Sequence, residues 1–277
     1  MVKNIQSADN VLFKETLGLQ QKKQREKLSQ YLIEGPNLLR EALDNQADLR
    51  RVFMRADLEE QSFELKDLSN KFQKRGFDVC LLSDKLFEKL GETMTPQGVL
   101  GVVKKPQYSE LDFFCPKNDS VSGNLLVLDR LQDPGNLGTI LRTADAAKFQ
   151  GAILCKGTGD IFSPKVVRSA AGALFRLPVF FTDTPEESIY YLRKYKKRIL
   201  AAVMQADSIY YRANFREEAA LVIGNEGNGI CEEFIRAADE TVCIPMNDRA
   251  ESLNAAVAAG ILMYETVRQR AMKQSEQ

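Results

Sequence analysis

Two short apolar runs near the C-terminus, 219–223 and 241–244, constrain this chain more than any other feature. Each has the length of a parallel strand buried on both faces. Each also ends in residues suited to exposed polar backbone. The first leads into Gly224-Asn225-Glu226-Gly227-Asn228-Gly229. The second leads into Pro245-Met246-Asn247-Asp248 and on through Glu251-Ser252-Leu253-Asn254 to an alanine-rich helix. Glycine and asparagine tolerate positive φ, so either loop alone reads as turn chemistry. On neighbouring strands the pair implies more, because open α/β sheets bind ligands beyond the carboxyl ends of their strands. Ser252 or Asn254 can cap the helix that follows and aim backbone N–H groups at such a site.

A third segment, 125–154, repeats the pattern: an apolar strand, the polar loop Gln132-Asp133-Pro134-Gly135-Asn136, then a helix carrying Arg142. Strands are expected near 125–129, 152–155, 178–181, 199–203, 219–223 and 241–244, separated by helices. That alternation implies a parallel sheet with helices on both faces. No GxGxxG follows the first strand, which disfavours a Rossmann-type cofactor site.

Residues 1–107 also alternate helix and strand. A polar helix over 10–28 contains the basic run Lys22-Lys23-Gln24-Arg25-Glu26-Lys27, which read alone is a solvated face. Strands follow at 31–33, 51–54, 78–82 and 99–103, with helices at 37–47, 59–75 and 84–90 and the turn Thr95-Pro96-Gln97-Gly98 before the last strand. These make a small α/β sandwich. From 104 to 124 the composition shifts to Pro, Asn, Asp, Ser and Gly. The domains expected are therefore 1–107, a linker at 108–120, and 121–277, with the boundary near Asn118.

The chain has no histidine, which excludes Ser-His-Asp chemistry and imidazole metal sites. Its five cysteines (Cys80, Cys115, Cys155, Cys231 and Cys243) are scattered without a CxxC, so neither a disulfide framework nor a zinc site is expected. With 38 basic and 38 acidic residues, any nucleic-acid surface must be a local patch. No run has the length of a transmembrane helix, and MVKNIQSADN lacks the apolar core of a signal peptide, so a cytoplasmic location is the default expectation.

The segments 125–154, 219–229 and 241–259, in that order, resemble the three motifs of the SpoU/TrmH family of RNA 2'-O-ribose methyltransferases, in the SPOUT class. The basic helix, Leu32-Ile33-Glu34-Gly35 and Thr95-Pro96-Gln97-Gly98-Val99 are similar to the N-terminal substrate-binding domain many of these enzymes carry. The resemblance implies an α/β fold: a parallel-sheet methyltransferase domain with a deep trefoil knot, preceded by a small RNA-binding domain like a ribosomal-protein fold. It implies S-adenosyl-L-methionine as cofactor, RNA as partner, and a homodimer through the C-terminal domain. The motifs match catalytic residues at Arg142, Asn136, Glu226, Ser252 and Asn254, and a cofactor pocket at Gly224, Asn225, Ile244, Met246 and Leu253. Candidate RNA contacts are Lys22, Lys23, Arg25 and Lys27, together with Lys165 and Arg168, which follow Ser163-Pro164 near the family's substrate cleft. The basic stretch 190–198 reads better as an amphipathic helix with cations at its C-terminus. The sequence departs from the family pattern at Lys148, Ala255 and Ala256, outside the proposed catalytic set.

Each of these residues has a plainer reading. Arg142 can be a surface arginine or a partner for Asp145, Glu226 a turn carboxylate, and Ser252 and Asn254 helix caps. If catalytic, Arg142 either binds a phosphate and the developing alkoxide or transiently takes the hydroxyl proton; arginine's ordinary pKa above about 12 makes the second role awkward. The reaction implied is methyl transfer to a ribose 2'-hydroxyl of ribosomal RNA. The alternatives are a transfer-RNA 2'-O-methyltransferase, or a non-catalytic RNA-binding or ribosome-assembly protein on the same fold.

Overall fold

The computed structural model describes residues 2–91, 97–116, 123–247 and 252–275. The turn residues Thr95 and Pro96, the boundary at Asn118, and Asp248 and Glu251 of the last loop lie outside the described residues. The chain forms two compact units, one of residues 1–107 and 160–175, the other of 108–159 and 176–277. Among the described residues no helix is long and apolar enough to cross a membrane.

In the first unit the elements run β1 (Val2–Ile5), α1 (Val11–Gly18), α2 (Lys22–Leu28), β2 (Gln30–Glu34), α3 (Pro36–Asp44) and β3 (Leu49–Arg55). They continue with α4 (Ala56–Gln61), α5 (Phe63–Lys74), β4 (Val79–Leu82), α6 (Asp84–Leu90) and β5 (Val99–Lys104). The sheet order is β1-β4-β3-β5-β2, parallel from β1 to β3, with β5 antiparallel to both β3 and β2. Its core includes Phe13, Leu32, Phe53, Leu82, Phe87 and Leu100. Gly98 has φ +77°, and a Cβ there would come within 2.8 Å of Leu58 Cδ1, so the turn into β5 requires glycine.

Three local readings need correction here. The single helix expected over 10–28 is two, because the chain turns at Leu19 and Gln20 and the carbonyls freed there accept from the Arg25 guanidinium at 2.8 and 2.7 Å. The helix expected over 59–75 breaks at Ser62, whose hydroxyl accepts from the N–H of Leu65 to start α5. Strand β1 is too exposed for periodicity to reveal; it exists because β4 offers it a parallel edge.

The second unit comprises α7 (Glu110–Phe114), β6 (Leu125–Leu128), α8 (Pro134–Ala146) and β7 (Gly151–Cys155). After α9 (Pro164–Ala170), which packs with the first unit, come β8 (Val179–Thr182), α10 (Pro185–Lys194), β9 (Arg198–Ala202) and β10 (Ser208–Ile209). The chain ends with β11 (Ala219–Ile223), α11 (Glu232–Ala237), β12 (Glu240–Cys243) and α12 (Ala255–Ser275). The seven strands are all parallel, in the order β10-β12-β9-β11-β6-β7-β8. Strands β6, β7 and β11 are buried along their whole length, as continuous apolar runs should be in a sheet covered on both faces. One face packs Leu125, Val127, Ile153, Ala220 and Val222 against Leu192 of α10 and Phe234 of α11.

The segment whose composition suggests a linker contains α7, opened by a Ser109/Asp112 capping box. Phe113 and Phe114 on that helix are buried in the second unit's core, an apolar anchor obscured by the surrounding Pro, Asn and Ser. The two glycine- and asparagine-bearing strands are not neighbours: β9 lies between β11 and β12, and β11 pairs directly with β6 on its other side. Strand adjacency depends on the crossovers and is not written in chain order.

Candidate functional site

Strands β6 and β11 end level, Leu128 opposite Ile223, and their chains then diverge. From β6 the chain goes to β7 on one side; from β11 it goes to β12 beyond β9 on the other. A crevice at such a reversal, outside the carboxyl ends of parallel strands, is where open α/β sheets take ligands. A cavity of about 630 Å³ opens beside this reversal, beyond the carboxyl ends of β9, β11 and β12.

Its walls are built from five pieces of chain. The 223–230 loop supplies Ile223, Gly224, Asn225, Glu226 and Ile230; the end of β12 supplies Val242, Ile244 and Met246. The approach to α12 supplies Ser252, Leu253, Asn254, Ala258 and Leu262, and Asn136 of α8 closes the rim. Ala202, Val203 and Met204 also line it, because the interposed β9 delivers its carboxyl end between the other two. These three carry no signal in the sequence beyond following an apolar run. The loop after β11 turns tightly enough that a Cβ on Gly224 would lie 2.2 Å from the carbonyl carbon of Gly229.

Polar groups from three distant segments join in one chain of hydrogen bonds at this rim. Asp133 caps α8 by accepting from the N–H of Asn136 at 2.8 Å, and Pro134 takes the first helical turn. The Glu226 carboxylate accepts from the backbone N–H of Gln132 at 3.1 Å, from that of Asp133 at 3.0 Å, and from Asn136 Nδ2 at 3.1 Å. Asn136 Oδ1 accepts in turn from Asn254 Nδ2 at 2.9 Å. Asn254 Oδ1 then caps α12, accepting from Ala256 and Val257 at 2.9 and 3.3 Å. The helix cap is therefore Asn254; Ser252 is exposed on the cavity wall.

Burial pushes the Glu226 carboxyl up, but its hydrogen bonds from Asn136, Gln132 and Asp133 outweigh this and hold it below the usual carboxylate range. Glu226 therefore stands as an ionised acceptor that orients the Asn136 amide, its NH2 toward Glu226 and its oxygen toward Asn254.

Arg142 does not line the cavity. It lies six residues beyond Asn136 on α8, about 240° further around the helix, and is exposed. Asp145 is not its partner: Arg176 holds that carboxylate through Nε at 2.9 Å and Nη2 at 2.8 Å. Among the described residues Arg142 makes no hydrogen bond or ion pair.

The basic residues of the first unit divide into two kinds. Arg25 is corrected from an RNA contact to a structural one: it is 4% exposed, and its Nη2 lies 2.7 Å from Asp160 Oδ2. Its Nε also donates to that carboxylate and its Nη1 to the Leu19 and Gln20 carbonyls, so the guanidinium is committed inside the unit. Lys23, Lys27, Lys165 and Arg168 are exposed, and Lys22 is exposed beside Glu26 at 3.7 Å. In the second unit four cations of the stretch 190–198 sit in ion pairs, Arg193 with Asp239, Lys194 with Glu110, Lys197 with Glu218 and Arg198 with Glu240, which agrees with its structural reading.

Residues 123–264, about half of the 277, match the SpoU rRNA methylase family. Residues 10–101 match the MRM3-like substrate-binding domain. The chain is 34% identical to the 23S rRNA (guanosine(2553)-2'-O)-methyltransferase RlmP of Bacillus subtilis (strain 168), over 95% of this chain and 98% of that protein. It resembles the crystal structure of an AdoMet-bound rRNA methyltransferase from Sinorhizobium meliloti with a TM-score of 0.83 and 31% identity, covering 97% of this chain and 98% of that one. The SpoU methyltransferase AviRb from Streptomyces viridochromogenes, in complex with AdoMet, gives a TM-score of 0.84 at 28% identity, covering 95% and 98%. With the family match spanning every residue that lines the cavity and a relative matching nearly end to end, this chain belongs to the SpoU rRNA methylase family.

Proposed function

We propose that this chain methylates a ribose 2'-hydroxyl of ribosomal RNA, using S-adenosylmethionine bound in the crevice beyond β11 and β12. The observation that carries the reading is the hydrogen-bonded line Glu226–Asn136–Asn254 across the mouth of a cavity of about 630 Å³. The cavity suits a nucleoside in size and lining, being mostly apolar with a few convergent polar groups. Ile244, Leu253 and Leu262 offer apolar walls for a base, and Gly224 and Met246 line the same cavity. When bound there, the cofactor supplies a sulfonium-activated methyl group.

The protein's share of the chemistry is orientation and charge. Asn136 and Ser252 stand at the cavity mouth, where they can hold the ribose hydroxyl in line with the donor. The hydroxyl loses its proton as the new bond forms, and developing alkoxide charge needs a cation. Arg142 has that charge uncommitted and offers planar guanidinium donors to the neighbouring phosphate and the alkoxide. Because it does not line its own cavity, the complete site needs a second copy, and we propose a homodimer in which each subunit's Arg142 serves the other's cavity. Helix α12 carries the exposed apolar side chains Val257 (52%) and Tyr264 (52%), with Gly260 open between them, a face fit for that contact.

The first unit is then the RNA-docking part, with Lys22, Lys23, Lys27, Lys165 and Arg168 as phosphate contacts. The same reading takes the second domain as trefoil-knotted and the first as similar to a ribosomal-protein fold. The test is methyl transfer from labelled S-adenosylmethionine to unmodified rRNA and tRNA transcripts, wild type beside Arg142→Ala. Alkali-resistant labelled dinucleotides from rRNA, lost in the variant, are expected. Label confined to tRNA would move the substrate, and no label on either RNA or on precursor ribosomal particles would end the enzymatic reading.

A further inference from the structure

Two adjacent residues at the end of β6, Asp129 and Arg130, take no part in the chemistry above, yet both ends of the 224–230 loop are tied to them. Asp129 is fully buried. Its carboxylate accepts from Arg130 Nε at 2.8 Å and Nη2 at 3.0 Å, and from the backbone N–H of Cys231 at 2.7 Å. A buried carboxylate is tolerated only with such partners. Cys231 is the residue at which the loop closes into α11.

The loop's other end is held by the backbone of Arg130. Arg130 adopts φ +58°, a left-handed conformation unfavourable for a non-glycine residue. Its carbonyl accepts from Asn225 Nδ2 at 2.8 Å. Asn225 Oδ1 accepts from the N–H groups of Gly227 and Asn228, both at 3.0 Å. The Asn225 backbone pairs both ways with Gly229, at 3.0 and 2.9 Å. The Asn225 side chain is thus turned onto its own loop and onto Arg130.

We propose that Asp129 and Arg130 are positioning residues for the cofactor: they clasp the 224–230 loop at both ends, and the Asn225 side chain is the clasp's counterpart. The inference rests on the reading of the crevice as the S-adenosylmethionine site. The physical reason is entropic. A loop containing Gly224, Gly227 and Gly229 has much conformational freedom to lose, and without the clasp that loss falls due when the ligand binds.

The test is calorimetric binding of S-adenosylhomocysteine to the full chain. Asp129→Asn removes the charge but keeps the shape. Asn225→Asp keeps the acceptor for Gly227 and Asn228 and removes the donor to Arg130. Ala258→Phe fills the cavity. Asp129→Asn and Asn225→Asp should each weaken binding about tenfold, the loss expected for one hydrogen bond involving a charged or buried group. In Asp129→Asn, KM for the methyl donor should rise by the same factor, with kcat and RNA affinity kept, a split that general destabilisation would not produce. Asn225→Asp carries the test should Asp129→Asn fail to fold. If Asn225→Asp binds as wild type while Ala258→Phe abolishes binding, the clasp is overturned and the pocket stands. If Ala258→Phe binds as wild type, the pocket reading falls and takes the clasp with it.

Discussion

Asn136 and Asn254, 118 positions apart in the chain, share a hydrogen bond of 2.9 Å from Nδ2 of Asn254 to Oδ1 of Asn136. Each also holds a helix or a carboxylate with its other amide atom, so one pair of side chains locks α8, α12 and the 224–230 loop into register.

Asn254→Ser separates the two roles of this residue. Serine can still cap α12 but cannot reach Asn136, so stability should fall by less than about 1 kcal/mol, the scale of a lost cap. Methyl transfer should fall by about tenfold or more if the Asn136 orientation matters to the reaction. Thermal melting beside a turnover assay checks both; equal losses of stability and activity would reduce Asn254 to a cap.

Glu226 makes stability depend on pH with a definite sign. Its folded carboxyl is held below the ordinary 4.5, so its contribution is fully present above that value and lost as pH falls through the lower folded one. Melting temperatures measured between about pH 3 and 7 should drop on the acid side in the wild type, and less so in Glu226→Gln. Glu226→Gln also presents one NH2 where three N–H groups point, so it should lose activity even at neutral pH.

Substituting Arg142 should leave the fold untouched, because the side chain is exposed and without a partner among the described residues. Arg142→Ala should lower kcat by about 10²–10³, the cost of removing one donor to a developing oxyanion, with RNA binding nearly unchanged. Arg142→Lys restores the charge without the planar fork and should recover only part of the loss. Mixing Arg142→Ala with a cavity-filled Ala258→Phe subunit tests the shared site: a mixed dimer with one intact site should regain activity that neither parent shows.

The two kinds of cation in the first unit should respond oppositely. Arg25→Ala breaks a buried pair and should cost about 3–5 kcal/mol in denaturant unfolding. Lys23→Ala and Arg168→Ala should leave unfolding unchanged and weaken rRNA binding, each lowering the salt dependence by about one counterion. Stability loss in Lys23→Ala, or none in Arg25→Ala, would reverse this division.

Much of this is legible along the chain. Six strands of the second unit and the glycine turns announce themselves within a few residues, because apolar runs and positive φ are local properties. The nine predicted residues Asn136, Gly224, Asn225, Glu226, Ile244, Met246, Ser252, Leu253 and Asn254 do line one cavity. Arg25 misled because its neighbours Lys22, Lys23 and Lys27 are solvated, and no pattern on so short a helix says which cation turns inward to Asp160, 135 positions away. Helix α7 was hidden by turn-forming neighbours, and the contribution of β9 by its dependence on sheet order.

Most of the elements, the loops that could serve a ligand, and the family are readable along the chain. It took the folded chain to show that Glu226, Asn136 and Asn254 form one line, that Arg142 is not among the residues lining the cavity, and that Asp129 and Arg130 hold the loop. Turn and cap preferences act over three or four residues and leave their mark there. The pairing of groups a hundred positions apart is set by how parallel crossovers stack, the sum of many weak packing contacts, none of which has a local signature.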